Sequence, residues 1–181
     1  MNIPNFITLL RIILVPVLVI LLIQGFFLKA LIVFIVAGLS DALDGFLARV
    51  LNQQTALGAY LDPIADKALL ASTFVTLSVL HVIPGWLAVI VISRDFIILL
   101  GILVLSIMSF SVEIRPLFIS KITTALQLTT VLLALFARCL PEGVHPMWLN
   151  TLYWVTALFT IVSGLYYMSR GLKLINQDTK K

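Results

Sequence analysis

Apolar residues fill most of this 181-residue chain and are interrupted by short polar breaks. A helix of about 20 apolar residues crosses the roughly 30 Å of hydrocarbon in a bilayer. Stretches of about that length or longer cover residues 6–25, 29–49, 60–81, 84–109, 121–139 and 148–170. This pattern predicts an all-α integral membrane protein with six transmembrane helices, in a single domain that covers residues 1–181.

Composition supports the membrane class. The chain is 61% hydrophobic and only 11% charged, whereas soluble domains carry about 25% charged residues. The single cysteine, Cys139, excludes an intrachain disulfide and a CxxC-type metal site. The net charge of +4 is not arranged as a basic stripe with interleaved aromatic residues, so we expect membrane lipids and no nucleic acid as partners.

The distribution of basic residues predicts the orientation of the helices. If the N-terminus is cytoplasmic, the opposite side carries only Lys29 and Arg138. The cytoplasmic segments then carry Arg11, Arg49, Arg115, Lys121, Arg170, Lys173, Lys180 and Lys181. We therefore expect both termini and the 50–58 turn in the cytoplasm. The first helix is expected to be retained rather than cleaved as a signal peptide, because no lysine or arginine precedes Arg11.

Half of the eight acidic residues lie in one short stretch, residues 41–66. One face of the second predicted helix carries residues at spacings i, i+3, i+4 and i+7. These residues are Asp41, Asp44, Gly45 and Ala48. The next helix carries Gly58, Asp62 and Asp66 at i, i+4 and i+8. The polar turn at 52–55 would bring the two faces together. The result is a predicted pocket with four carboxylates at the cytoplasmic membrane edge and a floor of small residues.

The four aspartates could instead be solvated surface residues. Both flanks are apolar, however, and a charge at a bilayer centre costs about 2.5–3.5 kcal/mol on insertion scales. Clustered carboxylates therefore need a positive partner, and carboxylates without His or Cys suit Mg²⁺ or Mn²⁺ rather than zinc. Two such ions can stabilise both oxygens of an in-line displacement, while one carboxylate takes the proton of an acceptor hydroxyl. The predicted chemistry is a phosphoryl-type transfer.

The spacing Asp-x2-Asp-Gly-x2-Ala-Arg-x8-Gly-x3-Asp-x3-Asp within residues 41–66 resembles the signature of the CDP-alcohol phosphatidyltransferase family. Members transfer a substituted phosphate from a CDP-linked donor to an alcohol and release CMP. The resemblance implies that two divalent ions are held by Asp41, Asp44, Asp62 and Asp66, with Asp66 also the general base. It implies CDP contacts from Gly45, Ala48, Arg49 and Gly58. It further implies a homodimer in a bacterial inner membrane, with the site facing the cytoplasm.

The N-terminus also resembles this family. Asn5, Thr8 and Arg11 follow the pattern Pro-Asn-x2-Thr-x2-Arg, which begins at Pro4. The resemblance implies that these side chains reach the nucleotide diphosphate. Ordinary helix capping and a positive-inside anchor would explain the same residues.

The candidates for binding an anionic acceptor are basic residues, namely Lys67, Arg94, Arg115 and Lys121. Lys67 follows Asp66 directly, and Arg94 is an intramembrane charge, which marks it as a functional candidate. Arg94 could instead pair with one of the four aspartates, and Lys121 could be a snorkelling lysine with only topological value. Because adjacent helical residues do not face each other, Arg94 and Asp95 are not expected to pair.

Two acceptors are compatible with the resemblance. Residues 2–11, 37–49, 92–95 and 118–128 look like cardiolipin synthases of the CDP-alcohol type, which join CDP-diacylglycerol to phosphatidylglycerol. The sister group, phosphatidylglycerophosphate synthases, uses glycerol 3-phosphate and typically shows a second lysine where this chain has Thr123. A small, doubly charged acceptor should need more positive charge. Phosphatidylglycerol is therefore the predicted acceptor and glycerol 3-phosphate the alternative.

A divalent cation transporter is an alternative of a different class, because intramembrane acids also mark ion routes. The polar residues gather at one membrane edge and form no chain across the bilayer, which favours an enzyme. Metal-dependent release of CMP would separate the two classes.

Overall fold

The computed structural model describes the backbone of residues 3–50, 56–107, 118–140 and 147–178, and the side chains of 9–40, 65–101, 119–140 and 147–169. Within these ranges the chain is helical and contains no strand. The helices are α1 (Ile3–Ile23), α2 (Phe27–Val50), α3 (Ala56–Val79), α4 (Gly85–Ile107), α5 (Phe118–Arg138) and α6 (Met147–Asp178). The predicted all-α class and the six helical stretches are confirmed, although α6 continues beyond the predicted end at residue 170.

Two helix ends show why the apolar runs stop where they do. After α1, Gly25 adopts a φ of 76°, and the amides of Gly25 and Phe26 donate to Leu22 and Leu21. After α3, His81 takes the same role with a φ of 54°, and Val82 donates back to Leu77. Both are Schellman ends, in which a left-handed residue turns the chain out of the helix. His81 is therefore a helix-capping residue at a position that usually holds glycine.

The chain divides into two compact units. Unit 1 comprises Met1–Gly85 and Val131–Pro146, and in it α1 packs against both α2 and α3. Its core is apolar and includes Leu18, Leu22 and Phe74, all fully buried.

Unit 2 comprises Trp86–Thr130 and Met147–Lys181. Its interior mixes apolar side chains such as Leu87 and Val91 with buried charged and hydroxyl groups. These polar side chains are Arg94, Asp95, Thr123, Gln127, Thr130, Thr156, Thr160 and Ser163.

Many large apolar side chains are exposed on the described surface. Large apolar side chains such as Ile13, Val89 and Leu158 are 60%, 65% and 61% exposed, which suits contact with lipid. Two segments, Ile119–Arg138 and Met147–Ser169, are long and apolar enough to cross a membrane among the described residues. The described parts of α1 and α2 contribute shorter apolar stretches, Leu9–Ile23 and Phe27–Ser40.

Candidate functional site

An ion pair between α1 and α3 lies in unit 1. Arg11 is fully buried, and its Nη1 donates to Oδ1 of Asp66, whose side chain is 39% exposed. A buried guanidinium is unfavourable without a counter-charge, and Asp66 on α3 supplies one to Arg11 on α1. Arg11 is thus neither a helix cap nor a surface anchor; it supplies a positive partner to one of the four predicted metal ligands.

The half-exposed carboxylate of Asp66 fits a ligand for a divalent cation. One of its oxygens is held from the protein side by Arg11, while 39% of the side chain is open to approach. Hard cations such as Mg²⁺ bind carboxylate oxygens and keep part of their hydration shell, and a partly exposed carboxylate permits this. Lys67, the next residue on α3, is also partly buried.

The continuous helices place the remaining predicted residues by register only. Asp41, Asp44, Gly45, Ala48 and Arg49 belong to α2, Gly58 and Asp62 to α3, and Asn5 and Thr8 to α1, but their side chains lie outside the described part. Arg115 lies wholly outside the described residues. Because α3 is unbroken from Ala56, Gly58, Asp62 and Asp66 do share one helix face, as the spacing predicts. Among the described side chains, no group of three His, Cys, Asp or Glu residues could hold a metal.

A second buried charge centre lies in unit 2 around Arg94 on α4. Its Nη1 donates to Oδ1 of Asp95 at 2.7 Å, and its Nη2 donates to Oγ of Ser120 at 2.7 Å and of Ser163 at 2.9 Å. The aliphatic stem of Arg94 packs against Gly164, where an added Cβ would meet the Arg94 Cγ at 3.4 Å. The guanidinium is only 4% exposed and is held from three helices, α4, α5 and α6.

The prediction that Arg94 and Asp95 do not pair is wrong. The rule for adjacent helical residues concerns the directions of the Cβ atoms, but the long arginine side chain reaches back to the neighbouring carboxylate. Both side chains are buried, and a buried charge without a partner is strongly destabilising, so the two charges pair. Ser120 and Ser163 are functional candidates that sequence reasoning missed. Ser163 is 69 residues away in the chain, and no spacing pattern connects it with Arg94.

Two positions on α5 that bear on the choice of acceptor, residues 121 and 123, differ in environment. Lys121 is exposed near the start of α5, which permits either contact with a head group or snorkelling. Thr123, the residue that replaces the sister group's lysine, is fully buried. Its hydroxyl lies within donating distance of Ile119 O at 2.9 Å and of Phe159 O at 3.2 Å. Thr123 therefore joins α5 to α6 and does not face the surface.

Comparisons with known proteins agree in one family. The profile of the family described as CDP-alcohol phosphatidyltransferase matches residues 1–162. The chain is 36% identical to human cardiolipin synthase (CMP-forming) over 96% of its own length, and spans 63% of that protein. It is 34% identical to the CDP-diacylglycerol–glycerol-3-phosphate 3-phosphatidyltransferase of Bacillus subtilis, over 94% of this chain and 95% of that one. The enzyme of the same name from Aquifex aeolicus is 31% identical over 98% of this chain and 100% of its own.

Proposed function

Since the chain belongs to the CDP-alcohol phosphatidyltransferase family, we propose that it transfers a phosphatidyl group from CDP-diacylglycerol to a glycerol-type alcohol and releases CMP. The observation that carries this proposal is Asp66, the last aspartate of the motif, which lies half exposed on α3 and is held by a buried arginine. The reaction belongs to phospholipid biosynthesis, and both names found among the relatives describe it.

In the proposed mechanism, Asp41, Asp44, Asp62 and Asp66 would hold two Mg²⁺ or Mn²⁺ ions. When bound, the ions supply electrostatic stabilisation of the attacking and leaving oxygens. The Asp66 carboxylate takes the proton of the acceptor hydroxyl, and Arg11 orients that carboxylate. Asn5, Thr8, Gly45, Ala48, Arg49 and Gly58 border the CDP group. Lys67, Arg115 and Lys121 attract the anionic acceptor, and Arg94, whose charge is paired with Asp95, would contact it from inside unit 2.

The proposed acceptor is phosphatidylglycerol, which would make the product cardiolipin. The relatives include enzymes of both names, so the choice of acceptor rests on Thr123, where the glycerol 3-phosphate group typically has a lysine. Glycerol 3-phosphate remains the alternative acceptor.

The proposal also includes six membrane spans, both termini in the cytoplasm, a homodimer and a bacterial inner membrane with the active site at its cytoplasmic face. The excess of basic residues in the segments assigned to the cytoplasm supports this orientation.

Removal of the metal tests the enzymatic proposal. Purified protein treated with a chelator should lose CMP release from CDP-diacylglycerol, and added Mg²⁺ or Mn²⁺ should restore it. Release that is unaffected by chelation would contradict the metal-dependent mechanism. Metal transport into vesicles without any CMP release would instead favour the cation transporter.

Labelling of Cys139 tests the orientation. This residue is the only cysteine; it is exposed and directly follows the last residue of α5, on the side assigned opposite to the cytoplasm. A membrane-impermeant maleimide should label it in intact cells. In a Cys139→Ser background, Lys180→Cys should be labelled only after the cells are permeabilised. Labelling of Lys180→Cys in intact cells, with labelling of Cys139 only after permeabilisation, would contradict the proposed topology.

Thr123→Lys tests the buried position that distinguishes the two acceptors. Because Thr123 is fully buried, a lysine there would bring an unpaired charge into unit 2. We expect the melting temperature to fall by more than about 4 °C, the shift that 1–2 kcal/mol gives in a chain of this size. The matched control is Thr124→Lys, one residue along and only partly buried, which should cost less. A Thr123→Lys protein with unchanged stability and new activity on glycerol 3-phosphate would show that residue 123 lines the acceptor site.

A further inference from the structure

Buried hydroxyl and amide groups line the contact between α5 and α6 in unit 2. This polar seam consists of Ser120, Thr123, Gln127 and Thr130 on α5 and Thr156, Thr160 and Ser163 on α6. The spacings of three and four residues place each set on one helix face. Three contacts bind the helices directly: Thr130 Oγ1 lies 2.7 Å from Thr156 Oγ1, the Thr123 hydroxyl lies 3.2 Å from Phe159 O, and Gln127 Nε2 lies 3.4 Å from Thr160 Oγ1. The seam is therefore an interhelical hydrogen-bond network.

The hydroxyl protons of Thr130 and Thr160 in the seam are already committed to carbonyl oxygens. Thr160 donates to Thr156 O at 2.6 Å, and Thr130 donates to Leu126 O at 2.7 Å. Since a hydroxyl carries one proton, the oxygen of Thr160 can only accept from its remaining neighbours.

This commitment determines how the Gln127 amide is oriented. Gln127 Nε2 lies 3.4 Å from Thr160 Oγ1, and only the amide nitrogen can donate to an oxygen that has no proton left. The amide oxygen therefore points elsewhere. Gln127 is fully buried, and no donor reaches its Oε1 from the part of the chain that the structure describes.

A buried donor lies along the same seam. Arg94 uses Nη1 and Nη2 for Asp95, Ser120 and Ser163, but its buried Nε–H meets no acceptor among the described residues. Arg94 contacts α6 at Ser163, and Gln127 contacts α6 at Thr160. Three helical residues correspond to a rise of about 4.5 Å. Arg94 and Gln127 thus contact α6 about one turn apart, and each carries one buried polar atom without a partner among the described residues.

We propose that the polar seam binds a hydroxyl-bearing molecule between Arg94 and Gln127. The hydroxyl donates a hydrogen bond to Gln127 Oε1 and accepts one from Arg94 Nε. A hydroxyl satisfies both atoms because it both donates and accepts. Two sources supply this chemistry: a bound water and a hydroxyl of a glycerol head group. The second source rests on the proposed function, because phosphatidylglycerol carries such a group.

Replacement of Gln127 by methionine tests the proposal, since methionine keeps the length of the side chain and removes its polar atoms. Methionine also removes the Nε2 contact with Thr160, so the change is made in the wild type and in a Thr160→Val background, where that contact is already absent. If Oε1 is bonded to a hydroxyl, Gln127→Met destabilises both proteins; if Oε1 is unsatisfied, the change is neutral or stabilising in the Thr160→Val background. The matched control is Thr129→Val, a polar-to-apolar change on an exposed face of the same helix. Tryptophan fluorescence reports unfolding through Trp86, Trp148 and Trp154, so this measurement needs no turnover.

The unfolding measurement is made in detergent with added phosphatidylglycerol or phosphatidylcholine. A fall of about 2–8 °C for Gln127→Met in both backgrounds and both lipids identifies a bound water. A head-group hydroxyl is identified if phosphatidylglycerol stabilises the wild type and not the variant, with KM for this acceptor raised about 3- to 10-fold and kcat unchanged. If Gln127→Met leaves the melting temperature of the Thr160→Val protein unchanged or raises it in both lipids, the proposal is overturned. If neither the wild type nor any variant releases CMP, that result contradicts the proposed function, while the unfolding measurement still tests the polar seam.

Discussion

Asp66→Asn is expected to reduce CMP release by roughly 10²–10⁴-fold, the contribution of a general base, while CDP-diacylglycerol still binds. Asparagine keeps the shape of the side chain but cannot take a proton from the acceptor hydroxyl, and it is a weaker ligand for a hard cation. The buried guanidinium of Arg11 also loses its carboxylate partner. Because the Asp66 side chain is 39% exposed, solvent screens the pair, and the loss of stability should be modest.

The loss of activity must be separated from the loss of the ion pair. Donor binding and melting temperature are measured for Asp66→Asn and for the double variant Arg11→Gln/Asp66→Asn, which removes both charges. Both variants should be inactive, and the double variant should be no less stable than the single one. Near-normal turnover by folded Asp66→Asn protein would refute the assignment of Asp66 as the base.

Asp95→Asn is expected to destabilise the protein by about 3–5 kcal/mol, the cost of breaking a buried pair from one side. Arg94 would remain 4% exposed with only the hydroxyls of Ser120 and Ser163 and an amide around its charge. For a chain of this size, the melting temperature should fall by roughly 6–20 °C.

A double-mutant cycle separates the ion pair from the packing of its members. Arg94→Met/Asp95→Asn removes both charges, so it should be more stable than Asp95→Asn, with a coupling energy of about 1–3 kcal/mol. Thermal unfolding of the wild type, the two single variants and the double variant gives this value directly. If Asp95→Asn melts at the wild-type temperature, the pair contributes nothing to unit 2.

The sequence was sufficient to predict the helices, because their signals are local. Each apolar run is long enough to form a helix on its own, and left-handed residues at Gly25 and His81 end two of them. The structure extends α3 through Pro63, and this continuity places Asp62 and Asp66 on one face. The far end of α6 was not predicted, because Lys173 and the polar residues around it end the apolar run without ending the helix.

The ion pair between Arg11 and Asp66 could not be predicted, because it depends on which helices pack together. Arg11 and Asp66 are 55 residues apart, and the sequence indicated only that the aspartates need a positive partner. The packing of unit 2 also changes the role expected of Arg94. Its neighbours Asp95, Ser120 and Ser163 enclose the guanidinium, and only Nε has no partner among the described residues. An acceptor bound by Nε would therefore have to lie inside unit 2. The four-carboxylate metal site itself remains a prediction.

The most direct test of the proposed reaction is an acceptor assay on the purified protein with Mg²⁺ and CDP-diacylglycerol. CMP and the lipid product are measured with phosphatidylglycerol, with glycerol 3-phosphate, and with no acceptor, using Asp66→Asn as the inactive control. We predict CMP release with phosphatidylglycerol, matched by an equal amount of cardiolipin. Release with glycerol 3-phosphate alone would identify the sister activity and show that Thr123 does not determine the acceptor. Folded protein that releases no CMP with either acceptor would contradict the proposed phosphatidyl transfer.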